Sequence, residues 1–276
     1  MDAVWGIART VLVGVLVLIL LVRVFEDRFI FFPYKASPTD PDPRAQGLPV
    51  EDVFFGTSDG AKLHGWYLAA PAAEFTILYF HGNAGNLSYR LDNIDFLHRL
   101  PVNVFAVDYR GYGRSQGRPT EAGLYRDAEA AYHYLARTRG IPPDRIVALG
   151  QSLGVPVAVE LAVRRPVAGL ILEAGFPSAP RVARRVMWLP GIHLLMRNRF
   201  DAAANLRRVH LPVLVAHCTE DPVIPADLGE ELFRAANEPK AFVRYPAACH
   251  EPLYVADPED YATRLRAFLS QLAPRS

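Results

Sequence analysis

The chain opens on its longest apolar stretch. Positions 11–22 read VLVGVLVLILLV without one polar side chain, and 3–8 extend the stretch with only Arg9 and Thr10 between. A helix over 3–25 is long enough to cross a bilayer, which takes about 20 residues. The alternative is a buried core helix, and an all-apolar stretch at the N-terminus with no amphipathic pattern argues against it. Arg9 is placed to snorkel toward the headgroups and Trp5 to sit at the interface. The residues that follow, Arg23-Val24-Phe25-Glu26-Asp27-Arg28, contain no small-x-small cleavage site of a secretory leader. The expectation is an uncleaved, single-pass membrane anchor over 1–25.

Between 26 and 50 the periodicity stops. Pro33, Pro38, Pro41, Pro43 and Pro49 oppose regular helix and central strand, and predict an extended linker. From 51 onward, apolar runs of strand length alternate with helical patterns. Runs at 53–57 and 62–68 flank Ser58-Asp59-Gly60, a hairpin signal. Further strands are predicted at 75–80, 103–107, 145–149, 168–172, 212–216 and 241–245. Helical patterns cover 87–100, 121–138 (with Thr120 as N-cap), 157–162, 226–236 and 258–272. This alternation predicts a mainly parallel sheet with right-handed crossovers. Ligands of such sheets bind at the carboxyl ends of the strands.

One segment breaks the alternation. Residues 175–206 are too many for a simple crossover. They carry Arg181, Arg184, Arg185, Arg197 and Arg199, with no acid before Asp201. Among these lie Val182, Val186, Met187, Trp188, Leu189, Ile192, Leu194, Leu195 and Met196, so the segment is predicted to overhang the strand ends as a cap. The domain plan is an anchor over 1–25, a linker over 26–50 and a domain over 51–276 that contains the cap.

Composition adds limits. The chain has 276 residues, 51% of them hydrophobic, and a formal net charge of +1. That suits one α/β domain with a short attachment, and no basic excess exists to hold nucleic acid. Two cysteines make neither a disulfide framework nor a zinc site.

Candidate chemistry sits at strand ends. The apolar run ending at Leu149 passes into Gly150-Gln151-Ser152-Leu153-Gly154, so Ser152 is predicted on a tight strand-to-helix turn. A serine hydroxyl becomes a nucleophile when a base takes its proton and an acid holds that base. Loops after later strands supply Asp221, in HCTEDPVIP, and His250, in ACHE. Each follows its own strand, so Ser152, Asp221 and His250 can meet at one sheet edge. Glu220 and Glu173 are alternative acids, Asp221 could instead cap the helix near 226, and Asp108 is assigned to bracing the Arg110-Gly111 loop. His217 is assigned to the core, and His64, His98, His133, His193 and His210 to structural or surface positions. An oxyanion needs two N–H donors. Leu153 supplies one by position, and Asn83, in HGNAGN after the strand at 75–80, is the choice for the other.

Taken together, HGNAGN, DYRGYGRSQG, GQSLG, TEDPVIP and the late Cys-His pair resemble the α/β-hydrolase superfamily over about 50–272. The likeness is greatest to its membrane-anchored serine hydrolase branch, which includes the protein-depalmitoylating hydrolase-domain proteins. The resemblance implies the α/β-hydrolase fold, a Ser152–Asp221–His250 triad, no cofactor, and ester, thioester or sometimes amide substrates. Three positions depart from the family pattern. Val155-Pro156 follow the turn where a small residue is usual, and Pro156 falls in the first helical turn, where no N–H is needed. Cys218 and Cys249 replace glycines in the acid and histidine loops. As the only two cysteines, they are expected either to be bonded across those loops, in an oxidising compartment, or to be two small buried thiols.

The function expected is hydrolysis of a carboxylic ester or thioester of a lipophilic acyl substrate, through an acyl-enzyme. Peptidase or amidase chemistry on the same triad is the second reading, and an inactive scaffold the third. The lipid bilayer is an expected partner through the N-terminal helix, and nucleic acid is not. The side of the membrane stays open: Arg23, Arg28, Lys35 and Arg44 after the span favour the cytoplasm, the cysteines an oxidising compartment. Arg181, Arg184 and Arg185 are candidates for anionic headgroups or a substrate carboxylate.

Overall fold

Runs such as FTILYF, with apolar residues on both alternating faces, need cover on both sides. The computed structural model, which describes residues 2–187 and 191–272, supplies it. Eight strands form one sheet: β1 (Glu51–Gly56), β2 (Lys62–Leu68), β3 (Phe75–Phe80), β4 (Val102–Asp108), β5 (Ile146–Gln151), β6 (Gly169–Glu173), β7 (Val213–Cys218) and β8 (Lys240–Tyr245). Their order is β1-β2-β4-β3-β5-β6-β7-β8. β2 runs antiparallel to both β1 and β4, and every other neighbouring pair is parallel.

The helices among the described residues are α1 (Asp2–Ile30), α2 (Leu91–His98), α3 (Glu121–His133), α4 (Gly154–Arg164), α5 (Ala179–Val186), α6 (Ile192–Leu195), α7 (Ala202–Leu206), α8 (Ala226–Ala235) and α9 (Pro258–Leu272). Successive strand residues point to opposite faces. Leu78 and Phe80 therefore join the core under α3, α4 and α8, while Ile77 and Tyr79 join the core under α2 and α9. Thr120 caps α3 by accepting from the Gly123 N–H.

Three expectations change. First, α1 does not stop at 25 but continues to Ile30, and its last turns are fastened to the domain. Glu26, 5% exposed, accepts from the Arg197 and Asn198 N–H groups at 2.8 and 3.0 Å. Phe31 packs edge-on against Phe200.

Second, the proline-rich segment is not a free linker. Its prolines do keep it out of regular structure, but extended chain can pair with loops that have open backbone groups. Pro33 bridges to Gly85 and Lys35 to Gly113, with Gly113 N–H donating to Tyr34 O at 2.8 Å. Leu48 and Val50 are buried.

Third, the segment predicted as a cap contains three short helices among the described residues, α5, α6 and α7. Ala202 and Leu206 of α7 belong to the domain core rather than to the cap. Trp188 and Leu189 of the predicted cap lie outside the described residues, as do Met1 and 273–276.

Cys218, at the end of β7, and Cys249 are joined by a disulfide, with Cα atoms 5.6 Å apart. Closing a 31-residue separation is worth about 3–4 kcal/mol on the chain-entropy account. The bond ties the loop carrying Asp221 to the loop carrying His250.

Candidate active site

The parallel strands bring their carboxyl ends to one edge, and the candidate residues gather there. β5 passes through Ser152 into α4 with Ser152 at φ +48°, left-handed backbone that costs a non-glycine residue on the order of 1 kcal/mol or more. The turn closes this tightly because two flanking residues lack side chains. A Cβ on Gly150 would collide with the Gly154 backbone, and one on Gly154 with the Phe80 carbonyl. Ser152 N–H donates to Glu173 O at 2.9 Å, which pins the turn to the next strand.

Ser152, His250 and Asp221 form one hydrogen-bonded line. Ser152 Oγ lies 2.9 Å from His250 Nε2, and His250 Nδ1 lies 2.8 Å from Asp221 Oδ2. An ionised carboxylate only accepts, so Nδ1 carries the ring proton and Nε2 is left to accept from the serine. Asp221 Oδ1 accepts from the Val223 and Ile224 N–H groups at 2.8 and 2.9 Å. Burial works to raise the Asp221 pKa, but hydrogen bonds from His217, His250 and the Ile224 N–H outweigh it and hold the group well below the carboxylate range. His217 is in the core as expected, yet it also reaches Asp221: its Nε2 lies 2.9 Å from Ile224 O and 3.2 Å from Asp221 Oδ2. Glu220 is exposed.

The loop after β3 faces the same point. Among the described residues neither the Asn83 nor the Leu153 N–H has an acceptor within the protein. The Asn83 side chain is fully engaged: Oδ1 accepts from Tyr112 Oη–H at 2.8 Å and Nδ2 donates to Ile30 O at 2.6 Å. Sequence reasoning missed what holds this loop. Arg90 Nη2 donates to Asn83 O and Ala84 O at 3.0 and 3.1 Å and pairs with Glu251 at 3.3 Å, so one guanidinium joins the Asn83 loop to the His250 loop. The signal is faint: Glu251 adjoins the histidine, and a Cβ on Gly82 would strike its carboxylate. Asp108 differs from expectation. Its Oδ1 accepts from the Leu87 N–H at 3.1 Å, bracing the Asn83 loop from below, whereas Asp127 and Asp59 hold Arg110.

Among the described residues Glu173 makes no hydrogen bond to His250. It is fully buried, accepts from Gln151 and bonds Tyr261, while Gln151 also accepts from Tyr79 and Asn93. Burial pushes its pKa up to about 8, so it is mostly neutral at pH 7 and unsuited to stabilising an imidazolium. Because the folded value lies above the usual 4.5, the folded protein keeps a proton that the unfolded chain releases. That contribution to stability is full below about 4.5 and is lost as pH rises through about 8. Glu173→Gln is expected to match the wild type near pH 4.5 and exceed its unfolding free energy by on the order of 2–4 kcal/mol at pH 8. Urea unfolding at the two pH values checks this; an offset that does not vary with pH contradicts it.

Beside Ser152 opens an apolar cavity of about 260 Å³, walled by Phe176, Val182, Met187, Met196, Phe200 and Ile224, with Ile30 of α1 also lining it. Two of the three cap arginines are committed elsewhere: Arg181 pairs with Glu231 and Arg185 with Asp227, both acids on α8. Among the described residues no group of three or more His, Cys, Asp or Glu is arranged to hold a metal ion.

Comparison with known proteins agrees with this architecture. The profile of the alpha/beta hydrolase family matches residues 63–197. An uncharacterized protein of Mycobacterium tuberculosis is 39% identical over 253 residues, covering 90% of this chain and 88% of its own. The alpha/beta hydrolase domain-containing protein WAV2 of Arabidopsis thaliana is 30% identical over 296 residues, covering 98% and 94%. Among solved structures, the esterase Pf2001 of Pyrococcus furiosus superposes with a TM-score of 0.73 at 20% identity, over 88% of this chain and all of its own. Sheet order, strand-to-helix turn and relatives lead to one statement: the chain belongs to the alpha/beta hydrolase family.

Proposed function

We propose that the protein is a membrane-anchored serine hydrolase that cleaves carboxylic ester or thioester bonds of a lipophilic acyl substrate. The observation that carries this is the Ser152–His250–Asp221 line, 2.9 and 2.8 Å between members, beside a mostly apolar cavity. His250 Nε2 takes the Ser152 proton as Oγ attacks the acyl carbonyl, and Asp221 stabilises the imidazolium that forms. The free N–H groups of Asn83 and Leu153 receive the oxyanion. The alcohol or thiol leaves with the proton from His250. Water, activated by the same ring, then releases the acid and restores Ser152.

The 1–25 stretch serves as the membrane anchor, and the domain from 51 onward does the chemistry beneath its cap. Val4–Leu21 is long and apolar enough to cross a membrane, and none of it is buried in the protein. The Cys218–Cys249 bond supports an oxidising compartment for the catalytic domain.

Turnover of an ester, a thioester and an anilide of equal acyl length, by full-length protein in detergent, tests the reaction class. The ester and thioester are expected to exceed the anilide in kcat/KM by at least about a hundredfold, since an amine is the poorer leaving group. A preference for the anilide would instead support a peptidase, and no turnover of any of the three would oppose a hydrolase.

A further inference from the structure

We propose that the end of α1 is a wall of the acyl site, and that the substrate's acyl chain enters the cavity directly from the bilayer in which α1 sits. This rests on the acyl-hydrolase reading above. Ile30, the last residue of α1, lines the cavity together with Ser152. Its carbonyl accepts from Asn83 Nδ2 at 2.6 Å, and the Phe32 N–H donates to Asn83 Oδ1 at 3.2 Å. The anchor thus grips the residue whose own N–H faces the oxyanion. Nor is it a free hinge, because the buried Glu26 carboxylate takes two backbone N–H groups of the cap connection.

Distance brings the cavity to the membrane surface. Leu21 ends the apolar window and Ile30 stands nine residues later on one continuous helix, a rise of about 14 Å. Each headgroup zone is roughly 5–8 Å deep. Beyond Leu21 the helix still exposes Val24, Phe25 and Phe29, beside Arg23 and Arg28, a mix of apolar and basic groups suited to a headgroup zone.

The mouth is apolar as well. Val186, Met187 and Val223 line the cavity while remaining about half exposed, at 50%, 49% and 51%. Outside the cavity lining, Phe29 of α1 and Leu194 of the neighbouring α6 are more exposed still, at 73% and 77%. Facing water, such a cluster would be an interaction patch without a partner. Apolar groups at an interface settle about 5–10 Å into the headgroup and acyl boundary, the depth that this mouth needs. An acyl chain would then pass from lipid to cavity without crossing water.

Photocrosslinking tests the path. Full-length Ser152→Ala protein, which should not consume its ligand, is placed in phosphatidylcholine vesicles doped with a lipid carrying a diazirine at its acyl terminus. Adducts are expected at Ile30 and within 182–187 as well as along 4–21; adducts confined to 4–21 would overturn bilayer entry. In the otherwise wild-type chain, Phe29→Asp with Leu194→Asp should lower turnover of a bilayer-dissolved long-chain ester at least tenfold. Turnover of a water-soluble butyrate ester should stay within twofold. Equal loss on both substrates, or no loss on either, would overturn it too. Phe29→Tyr with Leu194→Met should keep both activities, which separates a lost docking surface from a lost fold. Fluorophosphonate labelling of Ser152 reports on the hydrolase reading separately. A protein that labels but shows no cavity adducts refutes bilayer entry alone, whereas one that neither labels nor turns over ester refutes the reading beneath it.

Discussion

Ser152→Ala is expected to lower kcat for ester hydrolysis by about 10⁴–10⁶-fold and to leave the fold in place. The size of the loss follows from what remains. Without Oγ the 2.9 Å bond to His250 disappears and no acyl-enzyme can form. The Asn83 and Leu153 N–H groups and the cavity stay, so binding and oxyanion stabilisation would survive. The backbone has little cause to move. Ser152 N–H is held by Glu173 O, and the left-handed φ is imposed by Gly150, Gly154 and the strand beneath rather than by the hydroxyl. Steady-state rates checked against a thermal melt decide it. A loss under tenfold with an unchanged melt would mean that another group attacks the substrate.

Asp221→Asn should lower kcat by about 10⁴-fold with a much smaller change in KM, and the hydrogen bonds around the carboxylate show why. Oδ1 accepts two backbone N–H groups, from Val223 and Ile224. An amide placed here keeps its oxygen on those donors and must point its NH₂ at His250 Nδ1. Nδ1 then becomes the acceptor, the ring proton moves to Nε2, and Nε2 can no longer take the proton of Ser152. The amide also brings no negative charge to stabilise an imidazolium. His217 Nε2, 3.2 Å from the same Oδ2, faces that NH₂ as a second donor and gives no relief. Kinetics with a soluble short-chain ester measure the effect. A variant within a factor of ten of the wild type would show that His250 works without Asp221.

The placing of these residues is legible in the sequence for a physical reason. Ser152, Asp221 and His250 each come after a strand-length run, and a parallel sheet brings all such carboxyl ends to one edge. The sheet itself is legible because strands such as 75–80 and 146–151, buried on both faces, read as near-continuous apolar runs. The bracing shell is not, since it depends on pairs far apart in the chain. Arg90 meets Glu251 and Gln151 meets Glu173, and neither spacing marks the contact. Asp108 lies near Arg110 in sequence but bonds the Leu87 N–H, because β4 neighbours β3 and faces the loop that β3 feeds. The proline-rich segment misleads in a different way. Proline forbids ladder pairing at its own nitrogen, yet Tyr34 and Ala36 between the prolines still donate to Gly85 and Gly113.

If Ser152 is a nucleophile made reactive by His250 and Asp221, it reacts selectively with an electrophilic phosphonyl fluoride. The mass of the full-length folded protein after exposure to a fluorophosphonate, with the modified residue located by peptide mapping, measures this. One phosphonyl group is expected on Ser152, none after unfolding before exposure, and none on the His250→Ala protein. No adduct on the folded chain, or an adduct on a residue other than Ser152, would contradict it.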